Sequence, residues 1–155
     1  GHDRVWAAGP LLPPAEDSGL VAQRGGPSSI PAEEVLTWLD GETGCSVVYV
    51  CFGSRTSLNA EESAVLGAAL ERSKVHFIWC VREANGAEGV MPDSKYQDRV
   101  AGRGFIIKGW APQLAILRHP AVAAFLTHCG WNSVLESVSS GVMMLAWPTG
   151  ADQYA

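Results

Sequence analysis

Hydrophobic positions along this chain fall into two alternating patterns. Short unbroken apolar runs are separated by stretches in which apolar residues recur every three or four positions. The runs are SVVYVCF (46–52), HFIWCV (76–81), GFIIKG (104–109), AVAAFLTH (121–128) and VMMLAWP (142–148). They are rich in β-branched and aromatic residues and too short for helices, which predicts strands buried on both faces. Between them lie helical signals. PAEEVLTWLDG (31–41) has Pro at the start, acids in the first turn and Gly at the end. Asn59 followed by Glu62 spells a capping box, and Leu66, Ala69 and Leu70 carry an apolar stripe on to Ser73. Pro112 opens a short helix over PQLAILR (112–118), and NSVLESVSS (132–140) reads as a helix with Asn132 as N-cap and Gly141 as its stop. Residues 83–96 are polar and read as a surface loop. Alternating strand and helix predict an α/β fold, a parallel, doubly wound sheet with flanking helices.

The length of 155 residues suits one domain with a real core. Gly9-Pro10, Pro13-Pro14 and Gly25-Gly26-Pro27-Ser28-Ser29 give residues 1–29 the character of a linker, which places the domain at 30–155. Hydrophobic residues make up 47% and charged residues 17%, a globular composition. The net charge of −5 speaks against nucleic acid or an anionic membrane as partner. It leaves room for a small anion held by backbone N–H groups. No apolar run is long enough to span a bilayer, and no signal peptide opens the chain, so a cytoplasmic protein is expected. The four cysteines form no C-x-x-C pair, and Cys51 and Cys80 sit inside strand-like runs, as reduced thiols acting as small hydrophobes do.

In an open parallel sheet, ligands bind beyond the carboxyl ends of the strands. Both G-x-G-x-x-G and the P-loop pattern are absent, which counts against an ordinary dinucleotide or triphosphate site and against an NAD-type reading. The stretch FLTHCGWNSVLES (125–137) offers another chemistry. Gly130 lets backbone approach a ligand, Asn132 and Ser133 lie at a helix N-terminus suited to a diphosphate, and His128 adds a donor. Glu136 shares their helix face and can accept from ribose hydroxyls. Trp110 can stack on a planar base, and Asp152 with Gln153 can read sugar hydroxyls. Singly, each has a plain structural reading: packing for Trp110, a cap for Asn132, a solvated helix position for Glu136, a surface turn for Asp152 and Gln153. Jointly they spell base, ribose, diphosphate and sugar. The adjacent His128 and Cys129 lack zinc-ligand spacing, so no metal is expected, and His119 before Pro120 reads as structural.

The segment WAPQLAILRHPAVAAFLTHCGWNSVLESVSSGVMMLAWPTGADQ (110–153) resembles the signature box of plant UDP-dependent glycosyltransferases (family 1). The resemblance extends upstream through WLDGETGCSVVYVCFGS and GRGFIIKGWAPQ, and it reaches VWAAGPLLPP. It implies a GT-B architecture, with this chain as an incomplete Rossmann-like C-terminal domain that binds the donor. By resemblance, Trp110 stacks on uracil, Ala111 and Gln113 hold base and ribose, and Glu136 takes the ribose hydroxyls. His128, Asn132 and Ser133 would hold the diphosphate with Gly130 and Ser54, while Trp131, Asp152 and Gln153 would contact the sugar. A terminal Gln in the box goes with UDP-glucose as donor substrate. The implied reaction transfers hexose, with inversion and without metal or other cofactor, to a hydroxyl of a small molecule such as a flavonoid or other phenol. Its catalytic histidine belongs to an N-terminal acceptor domain outside this chain, so no catalytic residue is assigned here. The alternative is a catalytically inactive fragment that holds UDP or UDP-sugar. Met143 departs from the box, which usually has proline there. Surface that the rest of such an enzyme would cover is expected to make the chain by itself poorly stable or self-associating.

Overall fold

The computed structural model describes residues 27–54, 56–82 and 90–154, leaving aside the side chains of Ala151 and Asp152. Most of the linker expected over 1–29 therefore lies outside the described residues. In chain order the elements are α1 (Ala32–Asp40), β1 (Val47–Cys51), α2 (Ala60–Ser73), β2 (His76–Val81), α3 (Tyr96–Arg99), β3 (Gly104–Lys108), α4 (Gln113–Leu117), β4 (Val122–Thr127), α5 (Trp131–Ser140), β5 (Met143–Ala146) and a 3-10 turn, Ala151–Tyr154. The five strands make one parallel sheet in the order β3–β2–β1–β4–β5. The α/β, Rossmann-like expectation therefore holds, and every apolar run became a strand.

Both faces of the sheet are covered over β1, β2 and β4, which is why those runs are continuous rather than alternating. The run at β5 is a correction, an edge strand with Met143 and Leu145 exposed rather than buried. Tyr49, Cys51, Ile78, Cys80 and Phe125 belong to one buried cluster with Val35 and Leu39 of α1 and Ile116 and Leu117 of α4. Val50, Phe77 and Trp79 belong to the other, with Leu66 and Leu70 of α2 and Tyr96 of α3. Tyr49 stacks on Phe125 across β1 and β4, with ring centroids 4.9 Å apart. Such packed cores are worth a few kcal/mol for each large side chain, about 3–5 kcal/mol for Phe→Ala.

Two further local expectations are corrected. Of the predicted loop over 83–96, residues 83–89 lie outside the described residues, and Tyr96 at its end opens a single helical turn, α3. Tertiary burial makes that turn: Tyr96 is fully buried, meets Trp79 edge-on and donates its hydroxyl to the Gly67 carbonyl at 3.1 Å. Arg99 adds a fork to Asp93, at 2.7 and 2.9 Å, which holds the Asp93 carboxyl down at about 2. The second correction concerns α5. Its N-cap is Gly130, in extended conformation and without a side-chain cap, so Asn132 is the second helical residue. Met143 opens β5 opposite Ala124, exposed and in register.

The capping box at α2 is present in full: the Asn59 side chain accepts from Glu62 N–H, and Glu62 accepts from Asn59 N–H, both at 2.9 Å. Asn59→Ala is expected to destabilise the fold by about 1 kcal/mol. Urea unfolding monitored by circular dichroism checks this, with Glu62→Gln as the milder control.

Candidate functional site

The chain order 3-2-1-4-5 reverses direction between β1 and β4, and the crevice opens there, at the carboxyl ends of the strands. A cavity of about 620 Å³ occupies it. Ser54 follows β1; Trp110, Ala111 and Gln113 follow β3; His128 follows β4; Gly130, Trp131, Asn132, Ser133 and Glu136 open α5. All ten line this one cavity. Two further residues were singled out in the sequence, Asp152 and Gln153. Gln153 does not line the cavity, and the Asp152 side chain lies outside the described residues. Gln153 Oε1 instead accepts from the Thr149 and Gly150 N–H groups, at 2.8 and 2.9 Å, and so ties its own loop together.

The turn after β4 explains the order His-Cys-Gly-Trp. Cys129 takes a left-handed conformation, φ 64°, and its N–H is met by Thr127 Oγ1 at 3.2 Å. That reversal lays the His128 imidazole between Gly53 and Gly130, and a Cβ added at either glycine would collide with the ring. The glycines thus seat the histidine, and the backbone openness read from the sequence serves that purpose first. Beyond Gly130, the first turn of α5 has no side-chain cap, so the N–H groups of Trp131, Asn132 and Ser133 remain available to an anion. Trp131 stands largely exposed at the rim, and Ser133 and Glu136 are buried beneath it.

Deeper in, Gln113 organises the floor. Its Nε2 donates to Glu136 Oε2 at 2.8 Å and to Ser133 Oγ at 3.3 Å. Its Oε1 accepts from the Tyr49 hydroxyl at 3.4 Å. Burial pushes the Tyr49 phenol well above its ordinary pKa, so it stays a neutral donor. Glu136 thereby accepts a hydrogen bond one helical turn from the uncapped N–H groups of α5. Trp110 is fixed through its backbone. Its N–H donates to Ser29 Oγ at 2.6 Å, and its carbonyl accepts from Ser29 N–H at 2.8 Å and Ser28 Oγ at 2.9 Å. Ser28 and Ser29 close the segment read as a linker, yet they are bonded into the site.

Sequence reasoning missed three lining residues, Tyr49, Cys51 and Arg82. Strand register brings them in: Cys51 pairs with Cys80 across β1 and β2, and Arg82 follows Val81 at the end of β2. All four cysteines are free. Hydrogen bonding with the Cys51 thiol, and then burial, raise the Cys80 pKa. Among the described residues no three His, Cys, Asp or Glu side chains are grouped to hold a metal ion, and no helix is long and apolar enough to cross a membrane.

A large aromatic, a buried carboxylate and an uncapped helix N-terminus thus line one crevice. The family model for UDP-glucoronosyl and UDP-glucosyl transferase matches residues 5–155. The chain belongs to this family. Among plant glycosyltransferases it is similar to flavonol 3-O-glucosyltransferase UGT89B1 of Arabidopsis thaliana, 54% identical over 99% of this chain and 32% of that protein. It is also similar to a flavonol 7-O-rhamnosyltransferase of the same plant, at 49% over 99% of this chain and 36% of the other. The crystal structure of Arabidopsis thaliana UGT89C1 complexed with UDP-L-rhamnose superposes with a TM-score of 0.82 at 49% identity, covering 97% of this chain and 34% of that one. The chain therefore spans about a third of the length of the curated relatives it matches.

The seating of His128 gives a test. Gly130→Ala keeps an ordinary backbone conformation and acts on the imidazole alone, whereas Gly53 has φ 77° and adds backbone strain. Gly53→Ala is expected to cost about 1–2 kcal/mol more stability than Gly130→Ala. Chemical denaturation of both variants measures the difference.

Proposed function

We propose that this chain is the donor-binding domain of a glycosyltransferase that moves a hexose from a UDP-sugar to a hydroxyl of a small plant metabolite, a flavonoid or other phenol, with inversion. The observation that carries the reading is the Gln113–Glu136 pair, 2.8 Å apart, between Trp110 and the uncapped start of α5. In this reading the uracil stacks on Trp110 and the Ala111 backbone meets its edge. Gln113 and Glu136 take the ribose hydroxyls. His128, Ser54 and the N–H groups of Gly130 to Ser133 take the diphosphate. An uncapped helix N-terminus and an imidazole supply the countercharge, so the donor needs no metal and no cofactor.

Trp131, Asp152 and Gln153 belong to the sugar in this proposal, and the donor is UDP-glucose. Gln153 supports it: its Oε1 is engaged with the loop, which leaves its Nε2 to donate to a sugar hydroxyl. The relatives named above act on flavonols, as their names state. An acceptor-binding N-terminal domain completes the enzyme and brings the base that deprotonates the acceptor. A cytoplasmic setting is part of the proposal, and four free thiols suit it.

Calorimetric titration of the chain with UDP, UDP-glucose and UDP-L-rhamnose tests the donor reading. Trp110→Ala is expected to weaken UDP at least about tenfold through lost stacking. Glu136→Ala is expected to weaken it by about tenfold through lost hydrogen bonds to a charged acceptor. Tighter binding of UDP-L-rhamnose than of UDP-glucose overturns the choice of sugar. The enzymatic part has its own check: the chain joined to the N-terminal half of a relative should glucosylate a flavonol. A joined protein that binds UDP-glucose and transfers nothing leaves the inactive-binder reading standing.

A further inference from the structure

Arg82 is the lone arginine or lysine among the residues lining the cavity, and the nucleotide reading above gives it no role. It follows Val81, whose carbonyl accepts from Gly109 N–H at 2.9 Å, so the chain ends beyond β2 and β3 run side by side. Arg82 and Trp110 are thereby neighbours. The guanidinium carbon lies 3.5 Å from the centroid of the Trp110 ring, the spacing of stacked planes. Arg82 Nε is buried with no hydrogen-bond partner among the described residues. Nε therefore rests against the indole face, while the Arg82 side chain also hydrogen-bonds the Cys80 thiol.

Trp110 has a matching need. Ser28 and Ser29 fix its backbone, but hydrogen bonds to N–H and C=O leave the side-chain torsions unset. The plane of the indole is decided by what packs on its faces. We propose that Arg82 is a positioning residue for nucleotide recognition: its guanidinium covers one face of Trp110 and holds the indole so that the opposite face receives the base. The inference rests on the UDP-binding reading. It differs from two other roles for a cation in this place, a countercharge for the diphosphate and an occupant of the face that the base itself requires.

A double-mutant cycle separates these roles. UDP affinity is measured by calorimetry for Arg82→Met and Arg82→Lys, each in the Trp110 and the Trp110→Ala background, with thermal unfolding as the check on folding. Arg82→Met is expected to weaken UDP about fivefold in the presence of Trp110 and to have no effect once the indole is gone. Arg82→Lys keeps the charge and loses the planar stack, so it should not restore affinity. Equal losses in both backgrounds, or full rescue by Lys, would show a countercharge and overturn the proposal. Tighter UDP binding by Arg82→Met would show that the guanidinium blocks the base, and overturns it equally. The Lys arm decides the matter where Trp110→Ala binds too weakly to titrate, and it stays readable where the Met variant does not fold. A native chain that binds no UDP defeats the donor-site reading itself. A native chain that binds UDP, with Arg82→Met unchanged, defeats only the role of Arg82.

Discussion

The site depends on one constraint, the reversal of chain order between β1 and β4. The chain leaves β1 towards β2 on one side of that boundary and leaves β4 towards β5 on the other, and a gap opens above the strand ends between the two departures. The gap has to be filled by something that both sides can grip. His128 fills it, held between Gly53 at the end of β1 and Gly130 beyond β4. Everything next to the ring follows: the left-handed Cys129 that turns the chain, the uncapped start of α5, and the burial of Ser133 and Glu136 below it. A side chain on either glycine would be felt first by the histidine and through it by the helix start.

How much of this was legible in the sequence follows from how local each signal is. The strands β1, β2 and β4 were legible because burial on both faces writes an uninterrupted apolar run, and the helices because caps and stops are local, as with Asn59, Glu62 and Gly141. The single turn α3 was not, since its reason for existing is Tyr96 packing on Trp79 and bonding to Gly67, contacts far away in sequence. The start of α5 was misjudged by two residues because Asn is the better capping residue in isolation. Here Gly130 takes the cap for a tertiary reason, the space that the imidazole needs.

The site divides in the same way. Residues inside the motif from Trp110 to Glu136 were legible because they lie close together in one continuous segment, so that spacing alone gathers them. Tyr49, Cys51 and Arg82 enter through strand register, which no spacing within one segment reveals: Tyr49 faces Ile78 and Phe125, Cys51 faces Cys80, and Arg82 comes level with Gly109. Ser28 and Ser29 show the reverse case. Their Gly- and Pro-rich neighbourhood reads as linker, and yet they make the three hydrogen bonds that hold the Trp110 backbone.

The charge balance then ceases to be a puzzle. A chain with a net charge of −5 is a poor general attractor of nucleotides. The cavity wall, however, contains one arginine, no lysine and one carboxylate, and that carboxylate accepts from Gln113. Dipoles of the first turn of α5 and the imidazole beside it act over a few ångströms, where a diphosphate would lie. Surface carboxylates act from beyond the Debye length, about 8–10 Å at ordinary ionic strength, and are largely screened. Local backbone donors therefore outweigh the global charge. The arginine is left to the base end of the crevice, against an aromatic ring, where its flatness matters more than its sign.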